Sequence, residues 1–233
     1  MSRVVVITGN RKGLGFQLTN HFLNEGDVVI GCSRKPSTIS HSNYRHFELD
    51  VSDEKSVIKM VRSIKKEFNK IDVLLNNAGI ASMNHLLTTP YASAQAIFNT
   101  NFMGTFLFTR EIGKLMLKKK SGKIVNYSTV ATPIRLEGEA VYAASKAAIE
   151  NFTQVTAKEL GQYGITVNAL GPTPIPTDLI RNVPEDKINL LLNHQAVKRL
   201  GSFDDVLNVI EFFISPKSVF VTGQIIYLGG VCG

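Results

Sequence analysis

The stretch Val4-Val5-Val6-Ile7-Thr8-Gly9-Asn10-Arg11-Lys12-Gly13-Leu14-Gly15 decides the fold. Its opening run is β-branched and apolar on consecutive residues, as in a strand buried on both faces. Glycines at 9, 13 and 15 let the backbone turn sharply and approach a ligand closely. A helix starting directly afterwards offers free N–H groups to a pyrophosphate. The spacing is GxxxGxG, not the commoner GxGxxG. A glycine-rich turn alone is a weak signal, and its place between strand and helix gives it weight.

Working outward, short β-branched runs alternate with longer amphipathic segments. Strands are predicted at 4–8, 28–32, 47–49, 73–75, 123–127, 165–170 and 224–228. Helices are predicted at 14–24, 53–68, 92–118, 141–160 and 203–214. The last has Ser202 as N-cap with Asp205 three residues on, a variant of the capping box. Such alternation predicts a single doubly wound α/β domain over 1–233: a mostly parallel seven-stranded sheet with helices on both faces. Ligands then bind at the carboxyl ends of the strands. Prolines at 172, 174, 176 and 184 mark a loop, and a substrate loop is expected around 172–200.

At the end of the second strand, where an acid commonly binds the ribose hydroxyls of NAD, stands Cys32-Ser33-Arg34-Lys35. A 2′-phosphate would be welcomed by Arg34, and by Lys12 from the glycine loop. NADP(H) is therefore expected over NAD(H).

Other classes find little support. The net charge of +7, from 26 basic and 19 acidic residues, prompts a search for polyanion binding. No aromatic-basic interleaving points to nucleic acid. The densest basic run, Lys118-Lys119-Lys120, reads as a solvated helix end. Two cysteines without a CxxC imply neither a disulfide framework nor a zinc site, and the histidines lack metal-ligand spacing. No apolar run approaches the ~20 residues of a membrane span, and no signal peptide is evident. A cytoplasmic location without membrane contact is expected.

With these motifs in order, the chain resembles the short-chain dehydrogenase/reductase family, in its single-domain branch, over nearly its whole length. Thr8–Gly15 matches TGxxxGxG. Asp50 matches the acid after the third strand. Asn76-Asn77-Ala78-Gly79 matches NNAG, Asn101 the helix asparagine, and Tyr142-Ala143-Ala144-Ser145-Lys146 matches YxxxK. The resemblance implies that Gly9, Arg11, Lys12, Gly13, Leu14 and Gly15 hold the cofactor phosphates. It places Ser33 and Arg34 at the outer ribose, and Asp50, Val51, Asn77, Ala78 and Gly79 around the adenosine. Tyr142, Lys146, Pro172, Ile175 and Thr177 fall on the nicotinamide side. Each motif alone has a bland reading: Asp50 as a helix-start acid, NNAG as a turn, Tyr142 and Lys146 as a surface pair.

Tyr142 and Lys146 lie one helical turn apart and share a face. A phenol of pKa about 10 is a poor base, and a neighbouring ammonium is expected to lower that value. By resemblance Lys146 also binds the nicotinamide ribose, and Asn101 holds a water linking Lys146 to solvent. The carbonyl-binding hydroxyl is usually a serine thirteen residues before the tyrosine. Here that position is Thr129, and its neighbour Ser128 would serve if the strand end is shifted. The catalytic set expected is Asn101, Thr129, Tyr142 and Lys146.

Two further features bear on the substrate. Thr173 replaces the family's usual glycine and is expected to add a side chain near the nicotinamide. Arg135, Glu137 and Glu139 suggest a polar pocket wall. The overall pattern is similar to 3-oxoacyl-acyl-carrier-protein reductases, and Lys118, Lys119, Lys120 and Lys123 could meet an acidic carrier protein. Tyr163 stands where carrier-dependent members are expected to carry a basic residue. A non-catalytic NADP-sensing protein would keep the glycine loop but lose the tyrosine or lysine, and both are present. By resemblance the chain forms a homo-oligomer, a tetramer or dimer, through its two long helices.

Overall fold

Every residue of β1 (Val4–Thr8) is buried, and the two faces of the strand feed two separate cores. Val4 and Val6 pack with Val57, Met60 and Ile64 of α2 (Glu54–Phe68) and with Leu107, Phe108 and Ile112 of α4 (Gly104–Lys119). Val5 and Ile7 pack with Leu18 and Phe22 of α1 (Gly13–Asn24) and with Val206, Ile210 and Phe213 of α8 (Phe203–Ile214). Two covered faces account for the unbroken apolar run. In this computed structural model the residues described are 2–176, 183 and 185–231.

Six further strands join β1: β2 (Val28–Ser33), β3 (Tyr44–Glu48), β4 (Val73–Asn76), β5 (Gly122–Tyr127), β6 (Ile165–Gly171) and β7 (Ile225–Tyr227). Their order is β3-β2-β1-β4-β5-β6-β7, and every pairing is parallel. The fold is a seven-stranded, doubly wound α/β sheet. The winding reverses between β1 and β4, so the segments leaving those two strands border one crevice.

β3 begins at Tyr44, not at residue 47, because an edge strand alternates: Tyr44 is buried while Arg45 and Glu48 are exposed. The helix predicted over 92–118 is three pieces: α3 (Tyr91–Phe98), a π-helical turn at Asn99–Met103, and α4. The turn buries Asn101, and such single π turns recur at functional sites. A short α5 (Ala131–Ile134) precedes α6 (Ala140–Gly161), and the expected substrate loop contains α7 (Glu185–Asn193).

Local signals fix the helix ends. Asp53 caps α2 by accepting from Lys55 N at 3.2 Å. Ser202 and Asp205 bond reciprocally at the start of α8, at 3.2 and 2.7 Å. Lys118 and Lys119 occupy the last turn of α4, where cations complement the helix dipole. Lys123 donates to Ser218 O at 3.1 Å. Among the described residues, no helix is long and apolar enough to cross a membrane, and no group of three potential metal ligands occurs.

Candidate active site

The crevice is built by fitting the segment after β4 against the glycine loop. Thr8 Oγ1 accepts from Ala78 N at 2.9 Å, and Asn77 Nδ2 donates to Thr8 O and Gly9 O at 2.9 and 3.2 Å. Gly9 has φ 69° and packs so closely that a Cβ would lie 2.7 Å from Ala78 Cα. A Cβ on Gly15 would lie 2.5 Å from Asn77 Nδ2. Gly13 also has positive φ. Lys12 is the extended N-cap of α1 and, like Arg11, is exposed; Leu14 joins the second core. This cradle fits a dinucleotide pyrophosphate: side-chain-free backbone leading into a helix start.

Ser33 and Arg34 stand at the end of β2, with Arg34 exposed. Asp50 Oδ1 accepts from Ser52 N and Ser52 Oγ at 2.9 and 2.7 Å, whereas the helix-capping acid is Asp53. Val51 packs under α4, where a Cβ on Gly104 would lie 2.7 Å from its Cγ2.

Four expected catalytic side chains converge beyond β4 and β5. The Tyr142 hydroxyl stands beside Thr129, close enough for that side chain to oppose the rise in its pKa. Lys146 Nζ lies 5.9 Å from the Tyr142 ring centroid and donates to Tyr127 O at 2.8 Å. Asn101 ties down the next segment: its Oδ1 accepts from Ile80 N at 2.9 Å, and its Nδ2 donates to Ile80 O and Ser145 Oγ, both at 3.0 Å. Gly79 keeps open the gap between Asn101 and Lys146. A Cβ there would stand 3.4 Å from Asn101 Oδ1 and 3.6 Å from Lys146 Nζ. Ser128 turns the other way and donates to the Glu150 carboxylate, which also accepts from Tyr227 OH at 2.7 Å.

The charges differ from the expectation that Lys146 lowers the Tyr142 pKa. Burial pushes the phenol up to about 12, Thr129 opposes that rise, and Glu139 adds to it. Burial also lowers Lys146 to about 8. The lysine's ammonium is directed to a backbone carbonyl, so desolvation outweighs ion-dipole help at the phenol. Tyr142 is thereby held in its proton-donating form.

After β6, Pro172 O accepts from Val130 N at 3.3 Å, and Ile175 packs on the second core. Thr173 does not project toward a nicotinamide as expected. Its side chain is buried, donating to Gln195 Oε1 and packing on Gly201, where a Cβ would lie 2.7 Å from Thr173 Cγ2. Thr177 lies outside the described residues. Of the expected polar wall, Arg135 and Glu137 are exposed and Glu139 is buried. Arg135 and Glu137 line an open cleft with His85, Thr132, Ala143 and Ala147, on a face of α6 turned away from Tyr142.

Ser145 and Glu150 were not singled out from the sequence. Ser145 Oγ donates to Tyr142 O at 2.7 Å while receiving Asn101, which joins the tyrosine's helix to the π turn. Both lie within one turn of Tyr142 or Lys146, and that proximity was the available signal.

The family described as enoyl-(acyl carrier protein) reductase matches residues 8–230. The chain belongs to the short-chain dehydrogenase/reductase family and is an oxidoreductase. It is 33% identical over 241 residues to the (2S)-[(R)-hydroxy(phenyl)methyl]succinyl-CoA dehydrogenase subunit BbsD of Thauera aromatica, covering 100% of this chain and 96% of that one. It is 29% identical to the 3-oxoacyl-[acyl-carrier-protein] reductase FabG of Escherichia coli (strain K12), covering 98% and 96%. Among solved structures, ElxO with NADP bound superposes with a TM-score of 0.89 at 29% identity, covering 98% of this chain and 97% of that one.

Proposed function

We propose that this chain is an NADPH-preferring oxidoreductase that interconverts a carbonyl and a secondary alcohol, with Tyr142 as general acid/base. The observation that carries this reading is the juxtaposition of Thr129, a half-buried Tyr142 and Lys146, whose Nζ lies 5.9 Å from the Tyr142 ring centroid. When bound, the nicotinamide supplies or accepts the hydride. Thr129 and Tyr142 orient the carbonyl oxygen, and Tyr142 gives its proton to the developing alkoxide. A phenol held near 12 remains a donor at neutral pH, which suits reduction. Lys146 binds the nicotinamide ribose hydroxyls and carries the replacement proton. The relay to solvent runs past Gly79 to Asn101, through a water between them. The glycine loop, Ser33 and Arg34 hold the phosphates, Asp50 and Val51 the adenine, and Pro172, Ile175 and Thr177 the nicotinamide side.

A reductase of a carrier-bound 3-oxoacyl thioester is the second reading. The FabG relative and the cationic end of α4 favour it. A non-catalytic NADP sensor is disfavoured by the assembled Tyr142–Thr129 pair. The chain acts on a small-molecule substrate in the cytoplasm as one domain, and assembles as a homo-tetramer or dimer.

NADPH oxidation across β-ketoacyl thioesters, quinones and keto-sugars tests the reading. On the substrate identified, Tyr142→Phe binds NADPH but loses about a hundredfold or more in kcat. Thr129→Val is severely impaired and Ser128→Ala mildly so. Near-normal kcat in Tyr142→Phe removes the proton-donor assignment, and the opposite threonine–serine ranking moves the carbonyl contact to Ser128.

A further inference from the structure

A hydrogen-bonded chain runs from the glycine loop to the end of β2, and Ser33 is its one member among the expected cofactor-binding residues. Asn10, from the glycine loop, is fully buried over Gly31, where a Cβ would lie 1.8 Å from Asn10 Nδ2. Its Nδ2 donates to Tyr44 OH at 2.6 Å. Tyr44 OH contacts His46 Nδ1 at 2.9 Å. His46 Nε2 stands 3.1 Å from Lys35 O and 3.2 Å from Ser33 Oγ, and Ser33 Oγ itself donates to Lys35 O at 2.7 Å.

The protons on this chain can be assigned from the acceptors. A carbonyl oxygen only accepts, so His46 Nε2 carries a hydrogen and shares it between Lys35 O and Ser33 Oγ. In the neutral ring Nδ1 is then an acceptor, and the Tyr44 hydroxyl, which accepts from Asn10, donates to it. Lys35 O thus has two donors, and one of them is redundant. A phosphate oxygen near Ser33 also only accepts, so it requires the serine's single proton. Ser33 can turn that proton outward without leaving the Lys35 carbonyl unpaired, because the His46 N–H remains on it.

We propose that His46 is a positioning residue for the adenosine 2′-phosphate, freeing the Ser33 hydroxyl to donate to it. The proposal rests on the NADPH reading above and adds a specificity determinant in β3, on the edge of the sheet. It acts chiefly where a 2′-phosphate is present, since a phosphate oxygen only accepts, whereas the 2′-hydroxyl of NADH can itself donate to Ser33 Oγ. Tyr44 fixes the tautomer of His46 and links the segment to the pyrophosphate loop through Asn10.

Isothermal titration of NADPH, NADH and the fragment 2′,5′-ADP into the wild type, His46→Leu and His46→Gln separates the possibilities. His46→Leu raises the NADPH and 2′,5′-ADP dissociation constants about three- to tenfold, the range expected for one hydrogen bond, and leaves NADH within twofold. His46→Gln, whose amide N–H reaches the place of Nε2, restores most of the NADPH affinity. Equal weakening of NADPH and NADH in His46→Leu would mark a merely structural role and overturn the proposal, as would unchanged binding of both. A wild type that binds both cofactors equally overturns the NADPH reading and this proposal with it. A wild-type preference that keeps its full size in His46→Leu overturns this proposal alone.

Discussion

Glu139 stands three residues before Tyr142, 8% exposed, and its Oε2 has no hydrogen-bond partner among the described residues. Burial pushes its carboxyl up to about 7, whereas an unfolded chain leaves it near about 4.3. The folded state therefore binds this proton more tightly than the unfolded state. Its stabilising contribution is complete below the unfolded pKa and is lost as pH rises through 7. At ~1.4 kcal/mol per unit, the part lost between pH 5 and pH 8 is on the order of 2–3 kcal/mol. Urea unfolding at pH 5 and pH 8 should show the wild type losing that much more stability than Glu139→Gln. Parallel pH dependence in the two proteins would remove the assignment. The sequence offered Glu139 only as part of a polar wall with Arg135 and Glu137. The motif residues were legible because each belongs to a spaced pattern, and spacing survives without coordinates. Whether a lone acid is solvated or buried depends on neighbours distant in sequence, as it does for Thr173 and Gln195.

Helix α4 carries two glycines with opposite surroundings, and they separate intrinsic propensity from packing. Alanine is ordinarily better than glycine inside a helix by about 0.5–1 kcal/mol. At Gly113 a Cβ meets nothing within 4 Å, so Gly113→Ala should stabilise by about that amount. At Gly104 a Cβ would meet Val51 Cγ2 at 2.7 Å and Val51 Cβ at 3.1 Å. Gly104→Ala should therefore destabilise by ~1–3 kcal/mol and shift the loop that carries Asp50. Denaturant midpoints of the two variants decide this, and equal signs would refute the packing argument. The same helix shows what periodicity conveys. Its apolar spacing announces a helix across 92–118, yet not the π turn that buries Asn101 midway. A π turn adds one residue per turn without changing composition. Likewise β1 was legible to the residue, because both its faces are buried. β3 began three residues earlier than its apolar run, because an edge strand is half polar.

Two of the apolar surfaces left uncovered among the described residues lie on different elements. On the long helices, Phe152 meets Phe102 and Phe106 edge to face, with centroids 5.8 and 6.3 Å apart, and Met103 and Val155 are 39% and 46% exposed nearby in sequence. Phe108 and Ile149 of the same helices are buried in the core. Before β7, Val219 is 68% and Phe220 100% exposed, and Phe212 of α8 is 48% exposed. Surfaces of this kind mark contacts in soluble proteins. In closed symmetry each is self-complementary about its own two-fold axis. Two independent two-fold contacts generate a tetramer, and either alone generates a dimer. Phe220→Asp changes a fully exposed side chain, so it should fold as the wild type does and sediment as a dimer. Phe152→Asp should also leave a dimer, joined through the β7 side, and its circular dichroism reports whether the helix persists. The double variant should run as a 25.6 kDa monomer. Light scattering at micromolar concentration reads all three masses. A wild type that is monomeric, or a tetramer indifferent to both substitutions, would place the interfaces elsewhere.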